Sequence, residues 1–244
     1  KNGMIDRYAY ATPLRTLDPA HKAGLSLSAL GLCLVLNRPA IGLAVMAWMW
    51  ILSLVWARHP GWLFGKILFA EGAFLAVSVL GVAVSVHFYP FSFGITRQGL
   101  DSAFLLFTRA LGCAAALNFL ALTTPWVDLL DLGQRLRLSP LLLDLMTLVY
   151  RFIFTLLESL ERMRTAQESR LGYSGWQQGM HSAALLAARL LVDAYRRSTQ
   201  TQIALEGRGF TSALTVLPNL YRRDKTAPIL TILITLSLLL LYWL

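Results

Sequence analysis

Long stretches of apolar side chains recur along this chain, and they limit its possible folds more than any other feature. A helix that crosses a bilayer needs about 20 largely apolar residues. Charged residues make up only 14% of the chain, whereas about 25% is typical of a soluble domain. Four stretches are long enough and a fifth is somewhat shorter, and in chain order they are residues 23–36, 39–57, 67–88, 101–124 and 227–244. The sequence therefore predicts an all-α membrane protein with about five transmembrane helices.

Lysine and arginine residues collect on alternate sides of the predicted spans. The segment before the first span, the loop between the second and third, and segment 125–226 are rich in both, whereas the other two loops contain only Arg38 and Arg97. Cytoplasmic loops of membrane proteins carry this excess. We therefore expect a multi-pass protein of the bacterial cytoplasmic (inner) membrane, with its N-terminus inside and its C-terminus outside. The same bias accounts for the formal net charge of +9, so no nucleic-acid partner is expected.

The segment between the last two spans is predicted to form two long cytoplasmic helices. Ser139-Pro140 is typical of a helix start, and this first helix is expected to run towards Arg170. The second helix is expected over residues 176–206, with Gly207-Arg208-Gly209 as its stop signal. Each helix is apolar in one part and polar in another. The predicted regions are 1–124 with four spans, 125–225 with the cytoplasmic helices, and 226–244 with the last span.

Motifs for enzymatic or metal chemistry are missing from the sequence. The segment Gly61–Lys66 resembles a phosphate-binding loop, but it is one residue short and lacks the hydroxyl that follows the lysine. The four histidines are dispersed, and Cys33 and Cys113 each lie in an apolar stretch, where a free cysteine packs as a small hydrophobic residue. We therefore expect no catalytic activity, no metal site and no cofactor in this chain.

Three charged residues lie in or near predicted spans, and such residues are functional candidates because their burial is costly. Asp101 begins a span and is expected to reach the interface. Glu71 is expected to pair or to extend to the interface, and the deeper Arg109 to face a carboxylate or a water-filled crevice. An alternative function is a self-contained secondary transporter or channel that uses Glu71 and Arg109. A membrane-embedded enzyme acting on lipid is a second alternative, for which we find no catalytic cluster.

Two arginines end the two long helices in similar surroundings. Arg170 follows Ser169 and precedes Leu171, and Arg208 lies between Gly207 and Gly209. A single arginine of this kind is an ordinary helix end, since its charge meets the negative end of the helix dipole. Its recurrence 38 positions later, again beside small residues, instead indicates a paired docking device.

With these motifs the chain resembles the transmembrane T component of energy-coupling factor transporters, of the cobalt type. The resemblance extends from about residue 18 to residue 210, and the order and spacing of several motifs carry it. They are Ile95–Leu100, Arg109, Leu122–Pro125, Tyr150–Phe152 with Glu158, Ala166–Gly172 and Ala204–Phe210.

The resemblance implies a division of labour between subunits. Each arginine motif would end a coupling helix and fit a groove on one of two cytoplasmic ATPase subunits, which bind the ATP. A separate membrane subunit would bind the substrate, with cobalt expected first and nickel second. Ser169–Leu171 and Gly207–Gly209 would make the two ATPase contacts, although a small residue is usual where this chain has Leu171. The chain itself would be a scaffold in the bilayer rather than an enzyme.

Overall fold

The computed structural model describes residues 12–58, 60–88, 91–95, 97–209, 221 and 226–243. Eight α-helices lie within these residues, and they confirm the predicted all-α class. A 3₁₀ turn at Pro13–Thr16 precedes them, and a short antiparallel hairpin of β1 (Val84–Phe88) and β2 (Phe91–Ile95) lies between the third and fourth. The helices are α1 (Pro19–Val35), α2 (Pro39–Val55), α3 (Gly61–Ala83), α4 (Arg97–Thr123), α5 (Trp126–Arg135), α6 (Pro140–Glu168), α7 (Trp176–Gly207) and α8 (Thr226–Trp243).

Each predicted span corresponds to a helix, and the bounds of the third span differ most from the prediction. The span predicted over 67–88 is α3, which begins earlier, at Gly61, and ends at Ala83, because the chain continues as strand β1. Among the described residues, Gly99–Thr123 within α4, Pro140–Glu168 and Thr226–Trp243 are long and apolar enough to cross a membrane, and Pro39–Val55 is apolar but shorter. Helix α6 therefore also meets this criterion, although we predicted it as a cytoplasmic helix.

The described residues form two compact units, and the division falls after Leu129, inside α5. The first unit contains α1 to α4, the β-hairpin and α8, and the second contains α6 and α7. The regions predicted from the sequence, with a boundary between residues 124 and 125, stay a prediction. The assignment of the regions to membrane and cytoplasm stays a prediction.

The core of the first unit is built from one apolar face of each helix. Its buried residues recur every three or four positions, which is the spacing of one helix face. They include Leu25, Ala29 and Cys33 of α1, Ile41, Val45 and Met49 of α2, Ala115, Ala116 and Phe119 of α4, and Ile234 and Leu238 of α8.

Helices α2 and α4 cross at unusually close range, at two glycines. A Cβ atom added to Gly42 would lie 2.4 Å from the carbonyl oxygen of Thr108, and one added to Gly112 would lie 2.7 Å from the carbonyl oxygen of Gly42. Both contacts are with backbone atoms, which cannot move aside independently. Small residues at such crossings let two backbones approach, as is common in membrane proteins.

The second unit is an antiparallel pair of long helices that buries little of its apolar surface. Helix α6 begins at Pro140 with Ser139 at its N-cap, as predicted. Only 6% of the most apolar window of α6 is buried within the described chain, against 39% for α4. Exposed apolar side chains such as Leu141 and Leu145 therefore need a covering surface, and lipid, the rest of the chain and another subunit each satisfy that need.

Candidate docking site

The first arginine turn closes α6 with a defined hydrogen-bond pattern. The amide of Gly172 donates to the carbonyl of Gln167 at 2.8 Å, and the amide of Leu171 donates to the carbonyl of Glu168 at 3.0 Å. This pair of bonds is the Schellman motif, and it requires a left-handed residue directly after the helix. Leu171 is that residue, with φ of 57°, and Arg170 lies directly before it.

The second arginine turn, at the end of α7, shares one of these two hydrogen bonds within the described residues. The amide of Gly209 donates to the carbonyl of Glu206 at 3.0 Å, and Gly209 is left-handed with φ of 67°. Arg208 is the C-cap residue of α7, and like Arg170 it lies directly before a left-handed residue. The two turns thus place their arginines in the same backbone position, although leucine follows one and glycine the other.

The residues before the two arginines also correspond. Each turn reads Ala, any residue, Glu, a small residue and then Arg. Both glutamates accept a hydrogen bond from a side chain one helical turn earlier in the sequence. Glu168 accepts from Arg164 at 2.8 Å, and Glu206 accepts from Gln202 at 2.9 Å. Both arginines are exposed, and their side chains make no hydrogen bond or ion pair with the described part of the chain. Two guanidinium groups are thus presented to solvent on equivalent helix ends.

A small hydrogen-bond network fixes the first turn against the start of α7. Gln167 donates to the carbonyl of Ser182 at 3.0 Å and accepts from the hydroxyl of Tyr173 at 2.9 Å. The Ser182 hydroxyl donates to the carbonyl of Gly172 at 2.7 Å, and Ser182 is buried. Arg170 therefore projects from a pre-formed turn. Sequence reasoning missed Ser182 because its contact with the turn depends on how the two helices pack.

Substitution of the left-handed residue should change the stability of the two turns in opposite directions. A non-glycine residue in the left-handed region costs about 1–2 kcal/mol of folding free energy. Glycine avoids this cost, but part of the gain is offset because glycine has more conformational freedom in the unfolded chain. Leu171→Gly should therefore strengthen the first turn by up to about 1 kcal/mol, and Gly209→Ala should weaken the second by a similar amount. Hydrogen exchange of the turn amides, followed by mass spectrometry, measures both. Faster exchange at residues 171 and 172 in Leu171→Gly would contradict it.

Arg109 has a different partner from the one expected. Its guanidinium donates to the side-chain oxygen of Asn37 at 3.0 Å and to the carbonyl of Leu34. Leu34 lies in the last turn of α1, where the negative end of the helix dipole favours a cation. Within the described residues an amide and a helix end thus take the place of the expected carboxylate, and the alternative of a water-filled crevice stays a prediction.

Glu71 pairs elsewhere in the same unit. The side-chain nitrogen of Asn118 lies 3.0 and 2.9 Å from the two carboxylate oxygens of Glu71, so that α3 and α4 are joined by a polar contact. Asn118 and Arg109 are nine positions apart on α4, which is two and a half helical turns. They therefore lie on opposite faces of that helix. The third charge, Asp101, lies exposed near the start of α4.

A buried lysine ties together the segments around the motif Leu122–Pro125. Lys22, one residue before the predicted first span, donates to the carbonyls of Leu14 at 3.2 Å and Thr123 at 3.1 Å. This contact explains why the motif is buried. In the sequence Lys22 is only one of several charges before the predicted first span.

The described residues bring together no group of three or more histidine, cysteine, aspartate or glutamate side chains that could hold a metal ion. Cys33 is buried and Cys113 is half-buried, and both are free thiols.

Comparison with known proteins places the chain among transport proteins. The family model described as "CbiQ: Cobalt transport protein" matches residues 11–220. The "Cobalt transport protein CbiQ" of Rhodobacter capsulatus is 30% identical over 236 residues, which cover 96% of this chain and 94% of that protein. The protein of the same name from Salmonella typhimurium is 29% identical, over 83% of this chain and 94% of that one. The "Putative fused cobalt transport protein CbiMQ" of Methanocorpusculum labreanum is 28% identical over 86% of this chain and 37% of its own length.

Proposed function

Because this chain belongs to the CbiQ family of cobalt transport proteins, we propose that it is the membrane scaffold of an ATP-driven importer of the energy-coupling factor type. Its cargo is a divalent transition metal ion, cobalt first and nickel as the alternative. Two cytoplasmic ATPase subunits dock on it, and it passes their motion to a membrane subunit that binds the metal. The complex lies in the bacterial inner membrane, with the N-terminus of this chain inside and its C-terminus outside.

The observation that carries this proposal is the pair of equivalent arginine turns. Arg170 lies just before the turn that leads into α7, and Arg208 caps the other end of that helix. Helix α7 has 32 residues and is therefore about 48 Å long. One groove on one protein cannot hold both arginines across that distance. Two equivalent turns far apart fit two copies of the same kind of partner, one on each turn.

The chemistry of the turns fits a protein groove. Guanidinium offers five donors in a rigid, planar arrangement, which suits carboxylates and backbone carbonyls better than the ammonium group of lysine does. The exposed arginines keep these donors available, because the neighbouring glutamates are engaged with Arg164 and Gln202. A long helix ending in such a contact moves as a rigid body, so a displacement of the ATPase is carried along α6 and α7.

The apolar surface of α6 supports a partner inside the membrane. Leu141, Leu145 and Ile153 are exposed on the described unit, and an apolar surface of this extent marks an interaction site or contact with lipid. The relative whose name describes a fused protein agrees with such a membrane partner, because fusion keeps two associating chains together. We assign metal selection to that partner and the ATP to the ATPase subunits. In this proposal the chain is not itself an enzyme and carries no cofactor.

The alternative function, a self-contained transporter or channel that uses Glu71 and Arg109, has less support. The contact of Glu71 and that of Arg109 lie on opposite faces of α4, so the two residues do not line one path. Glu71→Gln keeps a polar partner for Asn118, and we expect it to change metal uptake less than about twofold. Arg109→Gln is the parallel test for the second residue. Loss of uptake in Glu71→Gln while the assembled complex persists would favour the alternative.

Uptake of radioactive cobalt tests the proposed function directly. Cells that produce this chain with its ATPase and metal-binding subunits should accumulate cobalt, and omission of the chain should reduce uptake to background. ATPase subunits that bind but do not hydrolyse ATP should also abolish uptake, whereas excess nickel tests the second cargo by competition. Cobalt uptake that persists with inactive ATPases would contradict the proposal.

A further inference from the structure

A crevice of about 390 Å³ lies between α6 and α7, and the proposed ATPase contact uses only Arg208 of its lining. Three arginines line it: Arg151 from α6 and Arg197 and Arg208 from α7. Thr155, Gln200 and Thr201 contribute polar groups, and no carboxylate is among its described lining residues. The crevice therefore concentrates positive charge within one small volume.

The charge in the crevice is only partly balanced by the chain. Arg197 pairs with Asp193 at 3.0 Å and donates to the hydroxyl of Ser159 at 3.0 Å, so its position is fixed. The guanidinium groups of Arg151 and Arg208 make no hydrogen bond or ion pair with the residues that the structure describes. Like charges that converge in this way repel each other, and an anion placed between them removes that cost.

The shape and lining of the crevice indicate the class of anion. Arginine binds phosphate through two parallel hydrogen bonds. Arg197 keeps free donors on the guanidinium nitrogen that bonds neither Asp193 nor Ser159. Apolar side chains, namely Leu148, Phe152 and Leu205, line the same crevice. Arg151 also lies in the half of α6 whose apolar face is exposed. A ligand that combines a phosphate with apolar chains matches both parts of the lining.

We propose that this crevice binds a phosphate group, and that an anionic phospholipid headgroup supplies it. Basic pockets between helices at a membrane surface recognise such headgroups. The lipid would neutralise Arg151 and Arg197 and fasten α6 to α7 at the crevice, while its acyl chains cover part of the exposed apolar surface of α6. The proposal does not rest on ATPase docking, because its test leaves Arg208 unchanged.

The test compares lipid binding to the purified full-length chain in detergent, measured by native mass spectrometry. Phosphatidylglycerol is titrated against phosphatidylcholine for the wild type and for Arg151→Gln/Arg197→Gln. Removing two charge-assisted contacts should weaken phosphatidylglycerol binding about tenfold or more. The control is Arg189→Gln/Arg196→Gln, which removes two exposed arginines of α7 that do not line the crevice. It should stay within about twofold of the wild type.

Two further arms keep the proposal testable and identify the source of the phosphate. Arg151→Gln alone breaks no hydrogen bond or ion pair within the described chain, so its loss of lipid binding does not depend on a folding defect. Inorganic phosphate is added to the delipidated chain during thermal unfolding. Stabilisation by phosphatidylglycerol alone supports the lipid headgroup, and equal stabilisation by inorganic phosphate supports the site with a free anion. Wild-type lipid binding in the crevice variants, or the same loss in the control, would overturn the proposal.

Discussion

The double substitution Arg170→Ala/Arg208→Ala should reduce ATP-dependent cobalt uptake to background and release both ATPase subunits. A hydrogen bond to a charged group contributes about 1.5–3 kcal/mol, so loss of the donors on each turn should weaken each contact at least tenfold. Insertion and folding should be unaffected, because both side chains are exposed and bond to no described residue. The measurement is co-purification of the ATPase subunits with the tagged chain, together with uptake by the same cells.

Two controls distinguish a specific contact of the arginine turns from a general effect of positive charge. Arg162→Ala/Arg189→Ala removes one exposed arginine from each of the same two helices, and it should retain assembly and uptake. Arg170→Lys/Arg208→Lys keeps the charge but loses the planar donor geometry, so it should recover only part of the ATPase binding. Full assembly in the alanine double variant would show that the two turns are not the docking site.

The substitution Gly42→Ala should have the largest effect on folding. Its methyl group would lie 2.4 Å from the carbonyl oxygen of Thr108 and 2.6 Å from the carbonyl carbon of the same residue. Because these are backbone atoms, α2 and α4 would have to move apart along their crossing. Overpacking of this kind costs about 1–3 kcal/mol or more. We expect much less folded protein in the membrane and a clearly lower unfolding temperature in detergent.

A glycine on a neighbouring helix is the matched control for Gly42. A Cβ atom added to Gly31 of α1 meets nothing within 4 Å, and alanine is a better helix former than glycine by about 0.5–1 kcal/mol. Gly31→Ala should therefore leave the unfolding temperature unchanged or raise it. If Gly42→Ala is as stable as Gly31→Ala, the close crossing of α2 and α4 is not present in the folded protein.

Features set by local rules were predictable from the sequence. The start of α6 at Pro140 follows from the fixed φ of proline at the first helical position. The end of α7 at Gly207 follows from the glycines around Arg208. The two arginine turns were therefore found as motifs before their geometry was known.

Features set by packing or by competing local structures were not predictable. Residues 84–88 are apolar enough to extend α3, yet their pairing with 91–95 makes them a strand. Leu171 adopts the left-handed conformation because the Schellman bonds and Ser182 hold the turn, and the residue type gives no sign of this. The partner of Arg109 is Asn37, far away in the chain, so no local pattern identifies it.

The most direct test of the scaffold function is purification of the tagged wild-type chain from its native membrane in mild detergent, followed by identification of its subunits. We expect two ATPase subunits for each copy of this chain, a membrane partner that binds the metal, and ATP hydrolysis by the purified complex. A chain that purifies alone and still transports cobalt after reconstitution into liposomes would contradict the account.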